Sequence, residues 1–267
     1  MQNEVTAPFK RMIPLPISAQ AIYDKLSAGD ACLIGDPGTI ADSIAYLTDG
    51  VPGSLAFWDK PGLDAVRQSC AAIVFIAEEI EPEPDRAFVL VDDPRWYFIE
   101  TVSEMFLDDE KGTHPSVILG KNVSIPASVI VGANTYIGDN VKIGENSRIG
   151  NNCIIHSDTV IGRYSWIKDA CMIGSHGLSF HRRANGELAR FPHLGATIIE
   201  DYVELGTGSC VVRGMLSNTE IRARTKIGNL VNIGHGCIIN EDCWISGSAS
   251  IGGHAVLGKR VSLAMSV

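Results

Sequence analysis

The chain has 267 residues, of which 45% are hydrophobic and 20% charged, and its formal net charge is −9. That acidic balance argues against nucleic acid as a partner, because phosphate binding needs a basic face. The longest apolar run, residues 71–77, is far shorter than the roughly eighteen residues a membrane span requires, so no membrane insertion is expected.

Residues 1–20 contain no apolar stretch of the kind a signal peptide needs, so a cytoplasmic location is expected. The seven cysteines show neither disulfide nor zinc spacing, and reduced thiols fit that compartment. Residues 17–106 read as mixed α/β. Ile22 and Leu26 mark a first helix, and residues 54–58, 71–77 and 88–91 read as strands. Asp93-Pro94 opens a further helix, with Asp as the cap and Pro at the first helical position. Trp96, Ile99, Val102 and Phe106 are the expected apolar stripe of that helix. The acidic stretch 108–110 with Lys111-Gly112 is the expected linker.

From residue 117 onward a large aliphatic residue recurs every six positions. Leu119, Ile125, Val131, Ile137, Ile143, Ile149, Ile155, Ile161, Ile167 and Ile173 keep the period without exception. It resumes at Ile199, Leu205 and Val211, and again from Ile221 to Leu263. A small or β-branched residue stands two positions before each, and Cys153, Cys171, Cys237 and Cys243 occupy that inward site as small hydrophobes. A period of six dictates a parallel β-solenoid with three flat faces, in which eighteen residues complete one coil. Residues eighteen apart then stack about 4.8 Å from each other. Both ends of such a stack expose strand edges and call for covers. Two interruptions break the period: twenty extra residues between Ile173 and Ile199, and four around Arg213-Gly214-Met215-Leu216. Interruptions of a rigid repeat are where function is usually carried.

His235 is the candidate base. It lies two positions after the inward Ile233, hence outward, and glycines flank it on both sides. Gly253, eighteen residues on, places a backbone N–H one coil away. An imidazole beside a free N–H supplies a general base and an oxyanion donor for acyl transfer. Gly247 and Gly252 follow in the same stretch. His181, Arg182, Arg183 and Arg190 in the long interruption are candidates for holding phosphates. His176 and His181, five apart, would need a third imidazole to hold a metal ion; His156 is only one coil upstream, so no metal site is expected.

These features resemble the left-handed β-helix acyltransferases, and the full layout resembles the UDP-3-O-acylglucosamine N-acyltransferase family. The stretches that carry the likeness are Pro52-Gly53-Ser54-Leu55-Ala56-Phe57, Ala71-Ala72-Ile73-Val74, residues 92–106, 173–180 and 192–195, Val203-Glu204-Leu205-Gly206, Arg213-Gly214, and 226–235. The resemblance implies a mainly β chain: a left-handed parallel β-helix of hexapeptide repeats over residues 113–267, preceded by a small α/β nucleotide-sugar-binding domain over 1–112. It further implies His235 as general base, Gly253 as the oxyanion amide, and Phe57 stacked on a nucleotide base. Lys60 and Leu63 stand where the family has Asn and Tyr beside that base. Gly228-Asn229 replaces an Asp-Asn pair, and Gly236 replaces an Asn. Lys60, Asn229 and His181 are the further substrate-side candidates; Arg182, Arg183, Gly247 and Gly252 are candidates for the acyl donor. A homotrimer is implied, with no tightly bound cofactor. The expected reaction moves an acyl group from acyl-CoA to a nucleotide-linked amino sugar for surface polysaccharide synthesis. The alternatives are the lipid A enzyme using acyl carrier protein, O-acylation of a sugar hydroxyl, and a non-catalytic sugar-nucleotide-binding scaffold.

Overall fold

The computed structural model describes residues 16–26, 31–105 and 112–267. The chain forms two compact units, Met1–Asp109 and Glu110–Val267.

The first unit is a five-stranded sheet. Ala31–Gly35 runs antiparallel to Ala87–Val91, followed by Ile73–Ile76, Ser54–Phe57 and Ser43–Ile44 in parallel. The three expected strands are present, each trimmed or shifted by one or two residues at its ends. Helices α1 (Ala19–Tyr23) and α3 (Pro94–Met105) pack on one face of the sheet and α2 (Asp64–Gln68) on the other. Asp93 caps α3 as expected: the Trp96 N–H donates to its Oδ1 at 3.0 Å. The apolar stripe of α3 is different from the one expected. Trp96 and Ile99 are exposed, and the inward positions are Pro94, Tyr97, Phe98, Thr101 and Val102. Phe98 sets this rotation, because its ring meets Phe57 at 4.8 Å, tilted by 42°, and Phe75 edge-on at 6.3 Å. Phe106 and the acidic linker lie outside the described residues.

The second unit is the parallel β-solenoid. Its first face carries seven strands from Ile118–Leu119 to Ser250–Ile251, its second six from Lys142–Ile143 to Val256–Leu257, and its third seven from Ile130–Val131 to Ser262–Leu263. Strand partners are eighteen residues apart wherever no interruption intervenes, as in Ile137↔Ile155 and Ile233↔Ile251. The inward aliphatics from Val131 to Ile251 form one continuous buried column. Leu119 in the first coil is exposed, and Leu263 in the last is only partly buried against the column. Small inward hydroxyls bond to backbone carbonyls of the next coil: those of Thr135 and Ser147 donate to the Gly150 and Gly162 carbonyls at 2.8 and 2.7 Å. Corners turn through a left-handed residue, often Asn or Asp, as at Asn134, Asn140, Asn152 and Asp242.

Candidate functional site

Both interruptions leave the solenoid from the same corner, the one between the first and second faces. The first follows the strand Met172–Ser175 and the second follows Cys210–Val212, which are neighbours on the first face. Across the corner they bind each other: the Leu194 N–H donates to the Met215 carbonyl at 2.7 Å, and the Gly195 N–H to the Gly214 carbonyl at 3.0 Å. The next two strands of that face, Asn232–Ile233 and Ser250–Ile251, deliver His235 and Gly253 to the same corner. The sequence breaks its period, and places its candidate base, along one edge of the prism.

The His235 imidazole lies directly over Gly253. A Cβ built on that glycine would stand 2.6 Å from Cε1 and 2.7 Å from Nε2 of the ring, so no other residue fits without moving the histidine. In two earlier coils the amide at this corner position is bound by a side chain of the next coil. The Lys121 N–H donates to Asp139 Oδ1 at 2.7 Å, and the Asp139 N–H to Ser157 Oγ at 3.0 Å. Gly253 itself is exposed, with its backbone beside the His235 ring. An imidazole nitrogen and a backbone amide therefore adjoin the same exposed corner, the arrangement that proton abstraction and oxyanion stabilisation require.

His235 belongs to a row of imidazoles on this corner. Ring centroids are 6.0 Å apart between His176 and His193, 5.3 Å between His193 and His235, and 5.0 Å between His235 and His254, all edge-to-face. His156 extends the row and feels the charges of His176 and Arg213. Burial, reinforced by the neighbouring His254, holds the His235 pKa below that of an ordinary histidine. Burial also lowers His193, with His235 and His176 adding to the effect. A lowered pKa leaves His235 neutral near pH 7, the form in which it can accept a proton. Arg213 spans the corner, its Nε donating to the Gly195 carbonyl at 2.8 Å and its guanidinium 3.4 Å from Asp158.

The other candidates divide. Gly252 precedes Gly253 on this corner, and its carbonyl accepts from the Cys237 thiol at 3.0 Å. Asn229 and Gly247 are on a different corner, the one between the third and first faces, so they do not join His235. The reason is the period itself: residues six apart occupy successive corners, and only multiples of eighteen return to the same one. Asn229 ties coils together there, its Oδ1 accepting from the Thr207 N–H at 2.9 Å. His181, Arg182 and Arg183 lie on an exposed antiparallel hairpin, Phe180–Arg182 with Leu188–Arg190. The two arginines find their partners within it, at the Gly186 carbonyl and at Glu187. The same interruption instead delivers His176 and His193 to the row. His254 was missed, although its place directly after Gly253 and nineteen residues past His235 was legible. Among the described residues no three His, Cys, Asp or Glu side chains group to hold a metal ion.

In the first unit, Phe57 lines a cavity of about 770 Å³ together with Tyr46, Asp49, Arg95, Phe98 and Ile99. The Arg95 guanidinium lies 5.5 Å from the Phe57 ring centre and pairs with Asp59 at 2.6 Å. Lys60 is not part of this lining; its ammonium sits 5.4 Å from the Trp58 ring centre. Phe57 thus touches both Phe98 and Arg95 where it borders the cavity.

Residues 116–151 match the family model described as bacterial transferase hexapeptide (six repeats). The UDP-3-O-acylglucosamine N-acyltransferase of Wolinella succinogenes is 40% identical over 81 residues, covering 30% of this chain and 26% of that protein. The chain thus spans about a quarter of that relative in the matched stretch. The enzyme of the same name from Methylococcus capsulatus is 37% identical over 254 residues, covering 84% of this chain and 72% of that protein. A solved UDP-N-acetylglucosamine O-acyltransferase from Moraxella catarrhalis is 24% identical, covers 58% of this chain and 60% of its own, and superposes with a TM-score of 0.43. On the near-full-length match, the chain belongs to the UDP-3-O-acylglucosamine N-acyltransferase family.

Proposed function

We propose that the protein transfers an acyl group from a thioester donor to the amine of a nucleotide-linked amino sugar. The observation that carries this reading is the His235 imidazole lying over the exposed backbone of Gly253. The amine nitrogen attacks the thioester carbonyl while His235 takes its proton. The Gly253 N–H donates to the oxyanion of the tetrahedral intermediate. The C–S bond then breaks, the thiolate recovers the proton from His235, and an amide and a free thiol are released. Phe57, with a cavity beside it, is assigned to the nucleotide base.

Of the finer readings, the 3-O-acylated UDP-glucosamine acceptor of the relatives is better supported than an acyl-CoA-dependent step of surface polysaccharide synthesis, because it is their names that match. A homotrimer belongs to the reading; its support is the exposed apolar column Ile118, Tyr136, Ile154 and Met172 on the first face. The decisive experiment assays UDP-3-O-acylglucosamine and other nucleotide amino sugars against acyl carrier protein and acyl-CoA donors, with His235→Ala alongside. A loss of about 10²–10⁴ in kcat/KM is expected on removal of the base. A loss below tenfold in a folded variant would exclude His235 from that role.

A further inference from the structure

We infer that His193 is a positioning residue for the proposed acyl transfer: its imidazole, edge-to-face against His235, fixes the ring of the base and stabilises the imidazolium that forms on it. This rests on the reading of His235 as the base.

His193 is 2% exposed, and neither ring nitrogen has an aligned hydrogen-bond partner among the described residues. Buried polar groups are nearly always paired, so an unpaired buried imidazole requires a reason. Its surroundings supply one. The His193 and His235 rings are 5.3 Å apart at 83°. A Cβ on Gly177 would lie 2.9 Å from His193 Nε2 and 3.4 Å from His235 Nδ1, so both nitrogens border the one space that this glycine leaves open. Nε2 of His235 faces Gly253 and the reacting groups, which leaves Nδ1 as the handle by which the base is oriented. Among the described residues no carboxylate or carbonyl hydrogen-bonds to Nδ1, and His193 Nε2 adjoins the same gap beside it. His193 is itself held in place, since the adjacent Leu194 and Gly195 amides bind Met215 and Gly214 of the second interruption.

The charged and titratable neighbours are accounted for. His176 and Arg190 act on His193 from the long interruption, and the Phe191 backbone opposes them weakly. His254 acts on His235 from the next coil, and His156 and Arg213 stand farther along the row. Burial first, and then His235, His176 and Arg190, disfavour a charge on His193, which stays neutral and offers a lone pair toward its neighbour. When His235 Nε2 takes the proton of the amine, Nδ1–H becomes acidic and its attraction to that lone pair strengthens. His193 gains and loses no proton; the thiolate recovers it from His235.

The test is a pair of variants, His193→Phe and His193→Gln. Phe keeps the ring and its packing but removes both nitrogens; Gln keeps a polar acceptor. The Phe variant should lose about 10- to 100-fold in kcat, the scale of outer-sphere partners. Its KM should stay within about twofold, and the acid limb of its kcat/KM profile should move to lower pH. Gln should recover most of kcat. Retention of kcat and of the acid limb in the Phe variant would overturn the inference, as would equal losses in both variants with no movement of the limb. His235→Ala separates the two readings: activity retained there removes the base itself, whereas an inactive His235→Ala beside a fully active His193→Phe removes only the role of His193. Should the Phe variant fail to fold, nitrogen NMR of histidine-labelled wild-type protein decides. His235 is expected to carry its neutral-state proton on Nδ1, and a proton on Nε2 would sink the proposal.

Discussion

The imidazole of His235 occupies the volume that a side chain at Gly253 would need, one coil away. The same device recurs on this corner. A Cβ on Gly236 would meet His254 Nδ1 at 2.7 Å, and one on Gly177 would meet His193. Gly236 also takes the corner's left-handed conformation, at φ +67°. Three glycines thus clear room for three imidazoles along one edge of a solenoid that elsewhere tolerates Asn, Asp or bulkier residues at its corners.

Gly253→Ala should therefore act on the histidine and not on the fold. The new methyl group would displace the His235 ring and crowd the amide, so kcat/KM should fall by about 10²–10³, the cost of losing one oxyanion donor. The position is exposed, so thermal unfolding should be nearly unchanged. Steady-state kinetics beside a melting curve checks both halves.

The pH dependence follows from the direction of the His235 shift. Burial and His254 lower its pKa, so the neutral base persists to lower pH than an ordinary histidine, and the acid limb of kcat/KM should lie below about 6.5. His254→Gln removes the second contribution and should move that limb upward. A limb that stays put or moves down would contradict the assignment.

Stability carries the same sign. His156, His193 and His235 all have lowered pKa values in the folded chain, so below pH 6.5 the unfolded chain binds more protons than the folded one. Their contribution is whole above the unfolded pKa and is lost as pH falls through 6.5 toward the folded values. The melting temperature should drop between pH 7.5 and 5.5, and His193→Gln should flatten that slope.

Phe57→Ala should raise KM for the nucleotide sugar while leaving kcat within a few-fold. Base stacking on an aromatic ring contributes about 1–3 kcal/mol, which corresponds to roughly 5- to 150-fold in binding. A kcat loss without a change in KM would assign the ring to packing against Phe98 alone.

Thiol chemistry gives a check on the solenoid core. Cys32 and Cys70 are exposed, whereas Cys153, Cys171, Cys237 and Cys243 are buried. Burial pushes the Cys237 thiol up, and a hydrogen bond with Cys153 together with burial pushes Cys171 up. Cys32 and Cys70 should react rapidly with an aromatic disulfide in the native protein, the half-buried Cys210 more slowly, and the buried four only after unfolding.

Much of this molecule was determined by its sequence alone. A period of six can bury its aliphatics in only one way, because each residue's distance along the chain decides which face and which corner it reaches. That arithmetic placed His235 over Gly253 and should have excluded Asn229 and Gly247, which fall six positions out of step. Apart from His254, whose spacing from His235 is regular, the row of imidazoles was decided only in three dimensions. His193 lies forty-two positions from His235 inside an aperiodic insertion, where spacing carries no information about position. What brings it in is the pairing of two interruptions across one corner, through backbone bonds that any residues could make. The outward turn of Trp96 and Ile99 was likewise settled by packing: Phe98 found two aromatic partners on the sheet, and the helix rotated to follow it.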